Sequence, residues 1–334
     1  MQLRTGIQPF RDYWINCLMN MIFSVVTSAE PSYIAATYLN DYDYEVGVWE
    51  TEPSETNTEG NRTIHNHIIL NQMQDFLVKN VHGKFSYQPI SLRNDEHCLD
   101  IIKGHVQQKE LVLVGVDVFY WVPDSFGYGQ THWNHHSFIN GYDDEKKVFF
   151  AFDEDINGYG EQEIPEERFL LALNKAVIEP HGFIIKPPEH IPPFTFSIND
   201  VVKHAEKIIN QISTMQMGPF WILTDNDFNT GIQYGVISVL IYQVMHRQYA
   251  NELLFRNVLN KYCDTDTINS LARMSKELQN GWAVVRSQML KVYKSNTDRR
   301  KRLDDVNELV KRLFQKELEM WNKVVGYWKR VNID

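Results

Sequence analysis

The stretch His132-Trp133-Asn134-His135-His136-Ser137-Phe138-Ile139-Asn140-Gly141-Tyr142-Asp143-Asp144-Glu145-Lys146-Lys147-Val148-Phe149-Phe150-Ala151-Phe152-Asp153 decides the reading of this chain. Two apolar, aromatic-rich runs, 136–140 and 147–152, flank the polar segment 141–146, and that pattern is a β-hairpin. A turn centred on Asp144 sets His135 opposite Asp153 and His136 opposite Phe152, and facing residues of an antiparallel pair share one side of the sheet. A carboxylate beside an imidazole fixes its tautomer and stabilises its protonated form, which is what a general base needs. A slip of one residue would exchange the two histidines.

Upstream, 111–121 is a Val-rich apolar run that reads as a strand, whereas 16–27, 71–81 and 96–106 have helical spacing. The polar stretch 50–61 reads as an exposed loop. Pro187, Pro188, Pro192 and Pro193 then interrupt regular structure and mark a linker. Beyond them, 197–212, 234–262, 268–293 and 298–329 all have helical period. Leu303, Val306, Val310, Leu313, Met320, Val324 and Tyr327 form a seam broken only at Glu317, which reads as one face of an antiparallel bundle. The expected division is therefore an α+β domain over 1–190, with an antiparallel sheet and its helices first, and an all-α helical domain over 195–334.

The two parts differ in charge. Residues 1–194 hold 28 acidic and 13 basic side chains, and residues 195–334 hold 15 acidic and 20 basic, within a chain of net charge −10. This contrast points to mutual attraction of two domains or to an acidic partner of the second, and not to nucleic acid. The longest apolar run, 232–245, falls short of the ~20 residues a bilayer span needs. Residues 1–10 show no apolar signal-peptide core. A cytoplasmic protein without membrane association is expected. Three cysteines, Cys17, Cys98 and Cys263, make no disulfide framework or paired zinc motif. His132 and His136 stand four apart and His65 and His67 alternate, but nothing completes a zinc ligand set, so neither a metal nor a bound cofactor is expected.

Cys17 differs from the other two thiols in opening an apolar helix, where unpaired N–H groups and the helix dipole favour a thiolate. Cys98 and Cys263 read as inert, one in a helix and one at a helix end.

Asn16-Cys17-Leu18 at a helix start, His132-x-x-His135 leading to Gly141-Tyr142-Asp143, and Asp153 closing the return strand together resemble the N-terminal domain family of the butirosin biosynthesis protein H. That family is similar to bacteriocin-processing cysteine peptidases and, more remotely, to papain-like enzymes. The resemblance covers about residues 10–190. It implies a papain-like fold and an acyltransferase of antibiotic biosynthesis, with Cys17 as nucleophile, His135 as base and Asp153 as orienting group. The implied partners are an acyl or peptidyl carrier protein, presenting its thioester on a phosphopantetheine arm, and a small-molecule or peptide amine acceptor. The basic stretch Arg299-Arg300-Lys301-Arg302 would then meet the acidic carrier. A peptidase, amidase or thioesterase would use the same Cys–His chemistry with water as acceptor, and a scaffold with a dead site would dispense with Cys17. The absence of a membrane span in the sequence favours the transferase over a transporter-fused peptidase. In one respect the chain departs from the resemblance: papain-like enzymes carry an oxyanion-hole glutamine about six residues before the cysteine, and here that residue is Arg11, with Gln8 further ahead. N–H groups at the helix start, including that of Cys17, are the alternative donors.

Overall fold

A computed structural model describes residues 2–39, 42–50, 64–71, 85–92, 97–125, 127–130, 132–155, 158–177, 181–215, 217, 220–221, 232–295 and 297–331. In chain order the elements are β1 (Gln2–Arg4), α1 (Cys17–Ala29), α2 (Ile34–Leu39), β2 (Asp43–Glu50), β3 (Ile64–Asn71), β4 (Ser86–Ile90) and α3 (Cys98–Gln107). There follow β5 (Leu111–Asp117), β6 (Asn134–Asp143), β7 (Val148–Asp155), β8 (Gly158–Pro165), α4 (Glu166–Lys175) and β9 (Gly182–Lys186). The chain ends with α5 (Ile198–Thr214), α6 (Ile232–Leu253), α7 (Thr265–Lys294) and α8 (Arg299–Val331). The expected helix over 71–81 lies outside the described residues, except for Asn71, which ends β3. No helix among the described residues is long and apolar enough to cross a membrane.

The chain forms two compact units, the first of Met1–Ile34 with Asp75–Phe194 and the second of Ala35–Gln74 with Thr195–Asp334. The junction at 194 follows the proline-rich linker. The segment 35–74, which the sequence division counts with the first domain, groups with the C-terminal helices instead.

The first unit is built on an antiparallel sheet of order β4-β9-β5-β6-β7-β8. Every residue of β5 is buried, as its uninterrupted apolar run requires of a central strand. The strand stops at Asp117, short of the expected 121, because the Asp117 carboxylate accepts the Phe119 N–H at 3.0 Å and starts a tight 3₁₀ turn over Val118–Tyr120. One face of the sheet presents Val112, Val114, Val116, Ile139, Phe149 and Ala151. They form one core with Cys98, Ile102 and Val106 of α3, Phe169, Ala172 and Leu173 of α4, and Trp121. β5 and β1 share one edge of β6 in succession: β5 pairs with Asn134 to Ile139, and β1 with Gly141 to Asp143.

In the second unit, α8 packs on α5 and α7, and α7 packs on α6. The connection between α7 and α8 is short, as in an antiparallel helical pair. The anticipated seam holds from Leu303 through Val306, Val310, Leu313 and Met320 to Val324, all buried, but not at Tyr327, which is half-buried while Trp328 beside it is buried. Glu317 is buried too, at 0% exposure, and its carboxylate accepts Tyr42 Oη–H at 2.5 Å and Tyr44 Oη–H at 2.8 Å. A charge at a seam position thus has two hydroxyl donors, from Tyr42 before β2 and Tyr44 within it, and β2 and β3 also pack against α5 and α6, in keeping with the grouping of 35–74 with these helices.

Candidate active site

Asn16 caps α1: its side-chain oxygen accepts the Met19 N–H at 2.8 Å, so Cys17 is the first helical residue. This is the expected position; the Cys17 side chain lies outside the described residues. The approach to Cys17 is fixed by two buried polar residues that the sequence reading passed over. Asn20 Oδ1 accepts the Ile15 N–H at 2.9 Å, and its Nδ2 donates to the carbonyls of Tyr13 at 2.8 Å and Phe10 at 3.4 Å. Ser24 Oγ accepts the Phe10 N–H at 2.8 Å and donates to the Asn20 carbonyl at 2.6 Å. A polar residue within an apolar helix, one turn beyond its cap, was the available signal.

His135 and Asp153 come together, but not through the expected register. Phe138, expected opposite Phe150, faces Phe152, because the turn spans four residues and an irregularity lies between Ile139 and Gly141. The ladder is therefore shifted by two where it approaches His135. Phe138, and not His136, stands opposite Phe152, where the pairing ends; the same register continued by one residue would set Ser137 across from Asp153. A shift of two preserves the face, since side chains alternate with period two. His135 consequently remains on the Asp153 side and reaches it diagonally, Nε2 to Oδ2, at 3.4 Å.

The pair is asymmetric in exposure, with the imidazole 26% exposed and the carboxylate 8%. Trp121 Nε1 donates to Asp153 Oδ2 at 2.8 Å, and the Glu154 N–H donates to Oδ1 at 2.8 Å. Burial pushes the Asp153 carboxyl up. The charge of the His135 imidazole beside it, together with the Glu154 N–H bond, outweighs burial and holds it below the ordinary value. Asp153 is thus a buried anion that favours imidazolium at His135. Nε2 is the ring nitrogen of His135 that faces Asp153. Gly160 pairs with Asp153, and the Arg11 guanidinium lies 3.4 Å from where a Gly160 Cβ would stand. Arg11 therefore lies at the Asp153 end of the sheet.

Structural roles account for the Gly141-Tyr142-Asp143 motif. A Cβ at Gly141 would run into the Leu3 carbonyl of β1. The Tyr142 hydroxyl donates to Glu166 at 2.5 Å, with Lys103 Nζ 3.9 Å above its ring. Asp143 accepts the N–H groups of Glu145 and Lys146 and shapes the hairpin turn.

A second imidazole–carboxylate pair stands at the same end of the sheet. His132 Nδ1 lies 2.7 Å from Asp117 Oδ2, and its ring stacks on Phe119 at 4.3 Å with an interplanar angle of 10°. Asp117 pairs with Asn134, and Val116 with His135, so Asp117 and His135 point to opposite faces. His136 tilts against Phe183 at 5.7 Å. Among the described residues no three His, Cys, Asp or Glu side chains gather as a metal site. His65 and His67 lie on β3, with side chains outside the described residues. Cys98 is core, and burial, followed by Asp264, pushes the Cys263 thiol up to about 11. No protein-family model matches the chain, and no curated protein matches it.

Proposed function

We propose that the first unit is a papain-like, cysteine-dependent acyltransferase in which Cys17 forms a thioester, His135 moves the proton and Asp153 holds His135. The observation that carries this reading is that α1, which begins at Cys17, packs against β6 and β7, the strands bearing His135 and Asp153. The cycle is balanced in protons. His135 takes the thiol proton as the thiolate attacks an acyl thioester, and returns it to the leaving thiol. An amine then attacks the Cys17 thioester; His135 takes the proton the amine loses and returns it to the departing Cys17 sulfur, so an amide is released and the thiol is restored. The first four N–H groups of a helix lack an intrahelical carbonyl, and Asn16 occupies that of Met19. The Cys17 N–H is the donor assigned to the tetrahedral oxyanion, in place of the glutamine that Arg11 replaces.

The donor under this reading is a carrier-protein thioester on a phosphopantetheine arm, and the acceptor is a small-molecule or peptide amine. The test is amide formation from a carrier-bound acyl thioester and an amine, comparing wild type with Cys17→Ala. Loss of product in the variant supports the reading. Equal product from both contradicts it, and release of free acid in place of amide identifies a hydrolase.

A further inference from the structure

We infer that Asn20 is a positioning residue for the chemistry of Cys17, setting the main chain that delivers the Cys17 N–H to the oxyanion. The inference rests on the acyl-thioester reading above and adds the residue that makes a backbone donor effective. Asn20 has 0% exposure, and its amide binds three main-chain groups of the approach to Cys17: Ile15 N–H at 2.9 Å, Tyr13 C=O at 2.8 Å and Phe10 C=O at 3.4 Å. Its own N–H donates to the Asn16 carbonyl at 2.9 Å. The Asn20 side chain therefore grips the chain on the residue before the cap, while its main-chain N–H, as in any helix, holds the cap carbonyl. Cys17 follows directly. An oxyanion donor acts only where its N–H points at the developing charge, and a misplacement of about 1 Å costs roughly 100-fold.

Ser24 provides the internal control. It holds the same segment further upstream, accepting Phe10 N–H at 2.8 Å, and it is equally buried. Loss of its hydroxyl leaves the Ile15 and Tyr13 bonds to Asn20 in place. The two residues therefore separate anchoring of the segment from orientation of its last residues.

The experiment measures acylation of the full-length protein by S-octanoyl-N-acetylcysteamine under single turnover, as a maximal rate and a half-saturating concentration, alongside alkylation by iodoacetamide. Alkylation needs the thiolate but no oxyanion donor. Asn20→Ala, or Asn20→Ser if the alanine variant does not fold, should lower the maximal acylation rate by about 10- to 100-fold. Half-saturation and the alkylation rate should stay within about twofold of wild type. Ser24→Ala should lower the melting temperature comparably and leave the maximal rate near wild type. Equal acylation rates in the Asn20 and Ser24 variants, or parallel loss of acylation and alkylation in the Asn20 variant, overturn the inference. Acylation that persists in Cys17→Ala removes the underlying reading instead, so the two failures are distinct.

Discussion

His135 Nε2 lies 3.4 Å from Asp153 Oδ2, although the ladder ends three residues from His135, at Phe138 facing Phe152, in a register that does not set His135 across from that carboxylate. The contact is diagonal, within the reach of long side chains on one face of a sheet. Asp153→Asn removes the charge that favours imidazolium, so the acyl-transfer rate should fall by about 100-fold or more. The same substitution should alter stability in a pH-dependent way. The folded-state pKa of Asp153 is lowered, so its stabilising contribution is present above the unfolded value of about 4 and disappears as pH falls through the folded value. Urea unfolding of both proteins at several pH values checks the sign: their difference should be full near neutrality and shrink only toward the acid end.

Three histidines compete for the role of base, and the sheet separates them. His135→Ala should abolish acyl transfer. His136→Ala removes an aromatic contact to Phe183 and His132→Ala removes the partner stacked on Phe119, so both should retain most activity at some cost in melting temperature. An inactive His132→Ala protein beside an active His135→Ala protein would move the base to the opposite face, with Asp117 as its carboxylate.

Glu317 gives a stability prediction for the second unit. Glu317→Leu strands two buried tyrosine hydroxyls and should destabilise by about 2–5 kcal/mol. Glu317→Gln keeps an acceptor and should cost less. Burial raises the Glu317 pKa despite hydrogen bonds from Tyr42, Gln248, Tyr44 and Trp321 that lower it. The folded state therefore holds the proton to higher pH than the unfolded chain, and wild-type stability should fall relative to Glu317→Gln as pH rises above about 4.5. Denaturant melts across that range measure both effects.

The parts of this fold legible in the sequence are those with a local cause. The hairpin around Asp144 followed from a polar turn between aromatic runs, and α1 from the helical spacing of an apolar run over 16–27. The face shared by His135 and Asp153 survived a wrong register because the error was two residues. Non-local causes were not legible. The length of the turn depends on Asp143 capping two N–H groups, and Gly141 is required by the Leu3 carbonyl of a strand more than a hundred residues earlier. Tyr42, just before β2, and Tyr44, Val46 and Val48 within it alternate readably, but the place of this segment with the C-terminal helices involves Glu317, which accepts both tyrosine hydroxyls. The broken seam was the visible half of that relationship.

Seven of the ten basic residues of α8 fall into two groups. Lys311 and Lys316 pair with Glu308 and Glu277, Lys323 donates to Ser270, and Arg299 donates to the Ser295 carbonyl at the end of α7. Arg300, Lys301 and Arg302 are exposed in the first turn, where the helix dipole gives cations no support. Reversing these three to Glu should raise the apparent Michaelis constant for a carrier-bound donor, with the effect shrinking as salt increases. A small thioester should react equally with both proteins. Equal slowing on both donors would assign the cations to internal packing.

The central claim is a covalent intermediate on Cys17. Wild-type protein mixed with S-octanoyl-N-acetylcysteamine and quenched in acid should gain the mass of one octanoyl group, mapped to the peptide containing Cys17 and removed by neutral hydroxylamine. Cys17→Ala should gain nothing. An unmodified wild-type protein, or an acyl group found equally on the alanine variant, contradicts the account.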